Sequence, residues 1–184
     1  MTKLIKIIAV GQKLEEWVNI AFSIYQKRLR PHLSFELVEI AAKKRHHSHL
    51  IKKIMKEESA QLLDACKPPG LIIALDRCGK RISTEAMAKK ISQTDTPMHL
   101  LIGGPEGIDE ETLNKCNEVW SISDLTLPHP MVRIILVEQI YRSISLLNNR
   151  LWLATTLFLR PILTLRYNTP FIYYPKIRIL IFVR

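Results

Sequence analysis

The strongest constraint on the fold is a repeated alternation, over residues 1–149, of short apolar runs with segments of helical periodicity. Five short runs rich in aliphatic residues predict strands, at residues 4–10, 35–40, 71–75, 98–102 and 119–122. Helical spacing of apolar residues lies between and after them, at residues 14–29, 48–65, 83 onwards, 109 onwards and 130–147. This alternation predicts an α/β domain whose sheet is largely parallel, with flanking helices.

Capping and turn residues define the expected boundaries of these elements. Ser48, Ser83 and Asp109 can cap helices, and Pro130 suits the first turn of the last one. The triplet Cys78-Gly79-Lys80 predicts a turn that ends the third strand.

Charge is distributed unevenly along the chain. The formal net charge is +10, but residues 150–184 contain six Lys or Arg and no acidic residue. The first 149 residues are therefore only mildly basic, which permits nucleic-acid binding without requiring it. The change in character predicts a domain at 1–149 followed by an atypical basic, apolar tail at 150–184.

Composition also narrows the cellular setting. No N-terminal signal peptide is recognisable, and the three cysteines (Cys66, Cys78 and Cys116) are scattered, so reduced structural thiols in the cytoplasm are expected. The longest uncharged stretch of the tail before Arg160 is far shorter than the ~20 residues that cross a bilayer, so no membrane span is expected.

A glycine-rich loop, Gly103-Gly104-Pro105-Glu106-Gly107, directly follows the fourth strand. Ligands of α/β sheets bind beyond the carboxyl ends of strands, and backbone without side chains lets a planar ligand approach closely. The alternative is an ordinary tight turn. The loop is neither GxGxxG nor a P-loop, which disfavours dinucleotides and nucleoside triphosphates.

The connection after the fifth strand, residues 122–130, has no glycine and places prolines on both sides of His129. A stiff backbone of this kind could hold amides and carbonyls in one arrangement that recognises an adenine edge. The alternative is a rigid connector in which His129 only caps the next helix.

The last predicted helix is apolar on nearly all sides and contains three charged residues, Arg133, Glu138 and Arg142. Such a helix must be buried on more than one face, either centrally in the core or, as we favour, in a dimer interface. Glu138 and Arg142 have the spacing of an intrahelical ion pair. Arg133 is either solvated or a substrate contact.

A dense basic loop spans residues 43–49 and includes three histidines, His46, His47 and His49. No partnering Cys/His cluster is nearby, so no metal site is expected. Lys44 and Arg45 are candidates for contacts with RNA phosphates, the alternative being an ordinary solvated loop.

Taken together, these segments resemble the ribosomal RNA large subunit methyltransferase H family, a branch of the SPOUT methyltransferases. The resemblance covers residues 1–149 and rests on Ile8-Ala9-Val10-Gly11, residues 35–40, Leu75-Asp76 with Gly79-Lys80, residues 100–107, residues 125–130 with Val132-Arg133, Glu138, and Tyr141-Arg142. The two late motifs occur in order and at the expected separation, which makes the joint signal specific.

The resemblance implies a C-terminal trefoil knot, a homodimer, and methyl transfer from S-adenosylmethionine to N3 of a pseudouridine in helix 69 of 23S rRNA, within the 70S ribosome. It implies that the cofactor contacts Leu75, Gly103, Ile122, Ser123, Asp124, Leu125, Thr126 and Leu127. Because the ring nitrogen must lose a proton, His129, Glu138 and Arg142 are the catalytic candidates. Arg133, Lys44 and Arg45 are the substrate-binding candidates.

The chain departs from the family after Asn149. The family ends shortly after this position with a tail that helps form the active site, whereas here residues 150–184 are unrelated in character. The alternative function is therefore a catalytically impaired ribosome- or RNA-binding protein that keeps its cofactor pocket.

Overall fold

The computed structural model describes residues 3–12, 14–45 and 50–148 of the 184-residue chain. The predicted Ser48 cap, the three histidines of the basic loop and the tail at 150–184 lie outside these described residues. The division of the chain at residue 149 stays a prediction.

A five-stranded, wholly parallel sheet forms the centre of the described region, in the order β2-β1-β4-β3-β5. The strands are β1 (Leu4–Val10), β2 (Ser34–Ile40), β3 (Leu71–Arg81), β4 (Met98–Ile102) and β5 (Glu118–Ser121). All five residues of β4 are buried, as expected for a central parallel strand covered on both faces. The predicted α/β class and parallel sheet are confirmed, while the trefoil knot stays a prediction.

Within the described residues, five helices cover the sheet: α1 (Glu16–Leu29), α2 (Ile51–Asp64), α3 (Thr84–Gln93), α4 (Glu110–Lys115) and α5 (His129–Leu147). Two predicted caps are confirmed. The Ser83 side chain accepts a hydrogen bond from the backbone N–H of Ala86, and the Asp109 carboxylate accepts from those of Glu111 and Thr112. No described helix is long and apolar enough to cross a membrane.

The helices form two layers, one on each face of the sheet. The larger core lies between the sheet and α1, α3 and α5, and the smaller one lies beneath α2 and α4. Helix α5 packs between α1 and α3, with Leu136, Val137 and Ile140 fully buried. Its apolar character is therefore explained within one chain by a central core position, and the dimer interface stays a prediction.

The predicted turn at Cys78-Gly79-Lys80 is wrong. Strand β3 continues to Arg81, but its register against β5 shifts, because Leu75 and Lys80 both pair with Trp120. The intervening residues form a bulge in which the Asp76 carboxylate accepts from the backbone N–H of Cys78, 2.8 Å away. Gly79 lies against β5 so closely that a Cβ there would be 2.6 Å from the Trp120 carbonyl carbon. Gly79 therefore allows β3 to lie close to β5. From the sequence alone, a glycine with this role looks the same as a glycine in a turn.

Candidate active site

A cleft of about 400 Å³ opens at the carboxyl ends of β3, β4 and β5. One wall is the glycine loop that follows β4, and the other is the proline-containing connection between β5 and α5. Parallel strands end at one edge of the sheet, so these two segments meet there although they are separated in sequence. The volume lies within the range of small-molecule sites.

The glycine loop is a tight turn whose geometry requires glycine at two positions. The Gly107 N–H donates to the Gly104 carbonyl, 2.9 Å away, and Gly107 has φ +90°. A Cβ on Gly103 would lie 2.5 Å from the Gly107 backbone. The turn therefore presents bare backbone to the cleft, and the interpretation as a tight turn is confirmed. The close approach of a ligand to this backbone stays a prediction.

Serine side chains order the opposite wall. The Ser121 hydroxyl donates to the Ser123 carbonyl and the Ser123 hydroxyl accepts from the Leu125 backbone N–H, both at 2.9 Å. Leu125 itself is 74% exposed at the cleft. A large apolar side chain held on a fixed backbone is available to cover a bound ligand.

Seven of the eight residues predicted to contact the cofactor line this cleft, namely Leu75, Gly103, Ile122, Ser123, Leu125, Thr126 and Leu127. Asp124 does not; its exposed carboxylate pairs with Arg81 at 2.9 Å. Their roles as cofactor contacts remain predictions.

The structure adds cleft residues that sequence reasoning did not assign to the site. Asp76 and Arg77 follow the buried part of β3, Glu106 lies in the glycine turn, and Trp120 and Val132 supply apolar surface. Asp76 could have been found, because it is the first polar residue after the apolar run of the third strand.

His129 lines the same cleft as the first residue of α5. Pro128 occupies the cap position and α5 has no side-chain cap, so the interpretation of His129 as a simple cap is wrong. Its Nδ1 is buried with no hydrogen-bond partner among the described residues. Burial, and then the positive charge of Arg133, lower the pKa of His129. The imidazole of His129 is therefore neutral at pH 7.

The predicted ion pair between Glu138 and Arg142 is confirmed, with Arg142 Nη2 2.6 Å from Glu138 Oε1. Both residues lie outside the cleft lining. At 1.5 Å per residue, Glu138 is about 13 Å and Arg142 about 20 Å along α5 from His129. They lie beside α1, where burial and then the Glu138 charge raise the pKa of Tyr25. Within the described residues of a single chain, the three catalytic candidates His129, Glu138 and Arg142 therefore do not lie in one site.

Arg133 is 1% exposed, so the solvated alternative for this residue is wrong. Its Nη2 donates to the carbonyls of Val10 (3.0 Å) and Gly11 (2.7 Å), and its Nη1 pairs with Glu39 (2.5 Å). The guanidinium thereby ties α5 to the ends of β1 and β2. Its substrate-binding role stays a prediction, although these contacts occupy much of its donor capacity.

The two substrate candidates of the basic loop have different surroundings. Lys44 is exposed, whereas Arg45 is partly buried and binds the carboxylates of Glu58 and Glu106. Among the described residues, no group of His, Cys, Asp and Glu is arranged to hold a metal ion.

The chain is similar in sequence to proteins that carry methyltransferase names. The family model described as "Predicted SPOUT methyltransferase" matches residues 4–152. A protein of Coxiella burnetii named "Ribosomal RNA large subunit methyltransferase H" is 44% identical over 148 residues, which is 79% of this chain and 96% of that protein. The chain belongs to this methyltransferase family.

Other relatives support the same membership. Proteins with the same name from Legionella pneumophila (strain Paris) and Thioalkalivibrio sulfidiphilus are 44% and 40% identical and are covered over 95% and 94% of their length. A solved structure described as "a probable methylase family protein from Haemophilus influenzae Rd KW20" matches with a TM-score of 0.53 at 16% identity, over 81% of this chain and 70% of that one. At that identity the likeness concerns the fold alone. The methyltransferase family's matched region contains both walls of the cleft.

Proposed function

We propose that this chain is an S-adenosylmethionine-dependent methyltransferase that methylates N3 of a pseudouridine in helix 69 of 23S rRNA in the assembled 70S ribosome. The observation that carries the proposal is the meeting, in one cleft, of the glycine loop and the segment at 122–127. Family membership and the names of the relatives support an rRNA substrate. A cytoplasmic location and a trefoil knot belong to the same proposal.

The residues of the cleft fit S-adenosylmethionine. Gly103 lets the turn close against the Gly107 backbone, and a Cβ on Gly107 would meet nothing closer than Asp76 Oδ2 at 3.8 Å, so a flat base can approach the backbone at Gly107. Leu125 and Val132 supply apolar cover, and the carboxylates of Asp76 and Glu106 can balance the positive charges of a sulfonium and an amino group.

When bound, S-adenosylmethionine supplies a methyl group already activated for displacement, so the protein mainly has to orient the acceptor and manage its proton. His129 lines the cleft, and burial lowers the pKa of its imidazole. It can accept the proton that the acceptor nitrogen loses. Glu138 and Arg142 remain catalytic candidates, and the length of α5 means that a second protomer must bring them to the cleft.

A homodimer is therefore part of the proposal. Helix α1 exposes Trp17, Ile20 and Ile24, which are 48%, 53% and 40% exposed and recur at helical spacing on one face. Contiguous apolar surface of this kind marks interaction sites. Helix α1 packs on α5 next to Glu138 and Arg142, so a second copy seated there would bury both helices together.

A second candidate is a catalytically impaired protein with an intact cofactor pocket. The matched relatives are covered over 94–96% of their length, yet the match leaves about a fifth of this chain unaligned. The family model's match ends at residue 152, so most of the tail at 150–184 lies beyond it, where the resemblance implies an active-site segment. Replacing this tail by the family's short ending, and comparing methyl transfer with the full chain, separates the two functions.

Isothermal calorimetry of the full-length protein with S-adenosylmethionine tests the cofactor assignment directly. One site per chain is expected, and Gly103→Ala should abolish binding because its Cβ would meet the Gly107 backbone. Glu57→Gln, at a surface ion pair of α2, serves as the matched control. Absence of binding by the wild-type protein would remove the proposed function.

A further inference from the structure

Helix α2 contains a carboxylate that is almost completely removed from solvent. Glu58 has a side chain only 2% exposed, and a buried carboxylate is costly unless charged or polar donors surround it. Its Oε1 accepts from the backbone N–H of Lys43 at 2.8 Å and from Arg45 Nη1 at 3.1 Å, and its Oε2 accepts from Arg45 Nη2 at 2.8 Å. Glu58 thus fixes Arg45 in one orientation.

The other side of Arg45 binds the wall of the cofactor cleft. Its Nη2 and Nε lie 2.9 Å and 3.2 Å from Glu106 Oε2, and Glu106 is part of the glycine turn. The hydrogen bond from Arg45 is the leading cause that lowers the pKa of Glu106. A bidentate guanidinium contact of this kind restrains direction as well as distance.

The ion pair of Arg45 and Glu58 also packs directly on the backbone of the glycine turn. A Cβ at Gly104 would lie 2.7 Å from Glu58 Oε2 and 2.8 Å from Arg45 Nη2. On the same helix, the Ser59 hydroxyl accepts from the buried Asp109 N–H at 3.0 Å. Adjacent residues of α2 therefore hold both ends of the segment from Gly104 to Asp109.

We propose that Arg45 and Glu58 are positioning residues that hold Glu106 and the glycine turn in the conformation that binds the cofactor. The inference rests on the proposed function, since it assumes that S-adenosylmethionine occupies this cleft. Ordering the turn before binding lowers the entropic cost that the ligand would otherwise meet. An RNA phosphate could bind the Arg45 guanidinium only by displacing a carboxylate of Glu58 or Glu106. We therefore assign Arg45 to the support of the cofactor-binding turn rather than to RNA binding.

The test uses Arg45→Lys in the full-length protein, because lysine keeps the positive charge but cannot bridge two carboxylates in the bidentate manner. We expect the Kd for S-adenosylmethionine, measured by calorimetry without RNA, to rise on the order of tenfold. In methyl transfer to ribosomes, KM for S-adenosylmethionine should rise by a similar factor, while kcat at saturating cofactor stays within about twofold of wild type. Lys56→Gln breaks a surface ion pair on the same helix and should leave both constants unchanged.

Glu58→Gln removes a buried charge and is expected to destabilise α2, so a double-mutant cycle between Arg45→Lys and Glu106→Gln provides the second measurement. If the two residues form one link, the double variant should bind cofactor about as weakly as the weaker single variant. The inference is overturned if Arg45→Lys binds S-adenosylmethionine like wild type and only KM for ribosomes rises, or if kcat falls with KM unchanged. A wild-type protein that binds no cofactor would instead contradict the proposed function.

Discussion

His129 is the titratable side chain that α5 contributes to the lining of the cleft. Its pKa lies below the ordinary value of about 6.5, since burial and the Arg133 charge both disfavour the imidazolium. The neutral base is thus present at pH 7 and is lost only when the pH falls through that lowered pKa. We predict that the rate of methyl transfer at saturating cofactor falls as the pH is lowered through that pKa, which lies on the acidic side of the ordinary histidine value.

The pH profile of His129→Gln is the decisive comparison. The variant should lose on the order of a hundredfold or more in rate, and its remaining activity should lack the acidic limb. His32 is not part of the cleft lining, so His32→Gln should keep the wild-type profile. An acidic limb that persists in His129→Gln would assign the titration to another group.

Arg133 illustrates a residue whose environment the sequence did not reveal. A single charge on an apolar helix is compatible with solvation, ligand contact or burial, and the partners that decide the matter lie more than 90 positions away. We predict that Arg133→Met lowers the free energy of unfolding by about 3 kcal/mol, because two carbonyls and Glu39 lose a buried donor.

Denaturant unfolding monitored by circular dichroism measures this change. Lys115→Met, which removes an exposed i,i+4 pair with Glu111, should alter stability by less than about 0.5 kcal/mol. A loss for Arg133→Met no larger than that of the control would contradict the structural role of the buried guanidinium.

The glycine turn is the element on which the cofactor proposal depends most. Gly107 has φ +90°, which side-chain-bearing residues adopt only with strain. We predict that Gly107→Ala costs about 1–2 kcal/mol in folding free energy and weakens S-adenosylmethionine binding. Pro105→Ala in the same turn should cost less than about 1 kcal/mol, since it mainly frees the unfolded chain. Thermal unfolding and calorimetry with S-adenosylmethionine on both variants test this prediction. If Gly107→Ala and Pro105→Ala lowered stability and cofactor affinity equally, the positive φ of Gly107 would not be the cause.

The elements themselves could be largely predicted, because the signals that define them are local. Apolar runs located the five strands of the described region, four of them within one residue at each end, whereas β3 continues six residues beyond its predicted end. Ser83 and Asp109 cap the helices that follow them. The turn predicted at Gly79 failed because glycine serves both turns and close strand contacts, and only the partner strand decides between them. The link from Arg45 through Glu58 to the glycine loop is tertiary, so neither its partners nor its geometry could be inferred from spacing.

At the scale of the whole molecule, the proposal requires two copies. Glu138 and Arg142 lie along α5 away from the cleft, and α1 beside them exposes an apolar face. We predict that wild-type protein sediments as a dimer and that Ile20→Lys shifts it to monomer at micromolar concentration, because a charge cannot be buried unpaired in an apolar interface. Leu50→Lys changes an exposed apolar residue elsewhere and should leave the dimer intact. A monomeric wild-type protein would contradict this part of the account.

The most direct test of the central claim is methyl transfer to ribosomes that lack the modification. Full-length protein, labelled S-adenosylmethionine and purified 70S particles are combined, and the modified nucleotide is located in the 23S rRNA. The account predicts about one methyl group per 23S rRNA, at N3 of a helix 69 pseudouridine, and none with Gly103→Ala. If S-adenosylmethionine binds but neither the full chain nor a version with the family's short C-terminal ending methylates any ribosomal nucleotide, the proposed function is wrong.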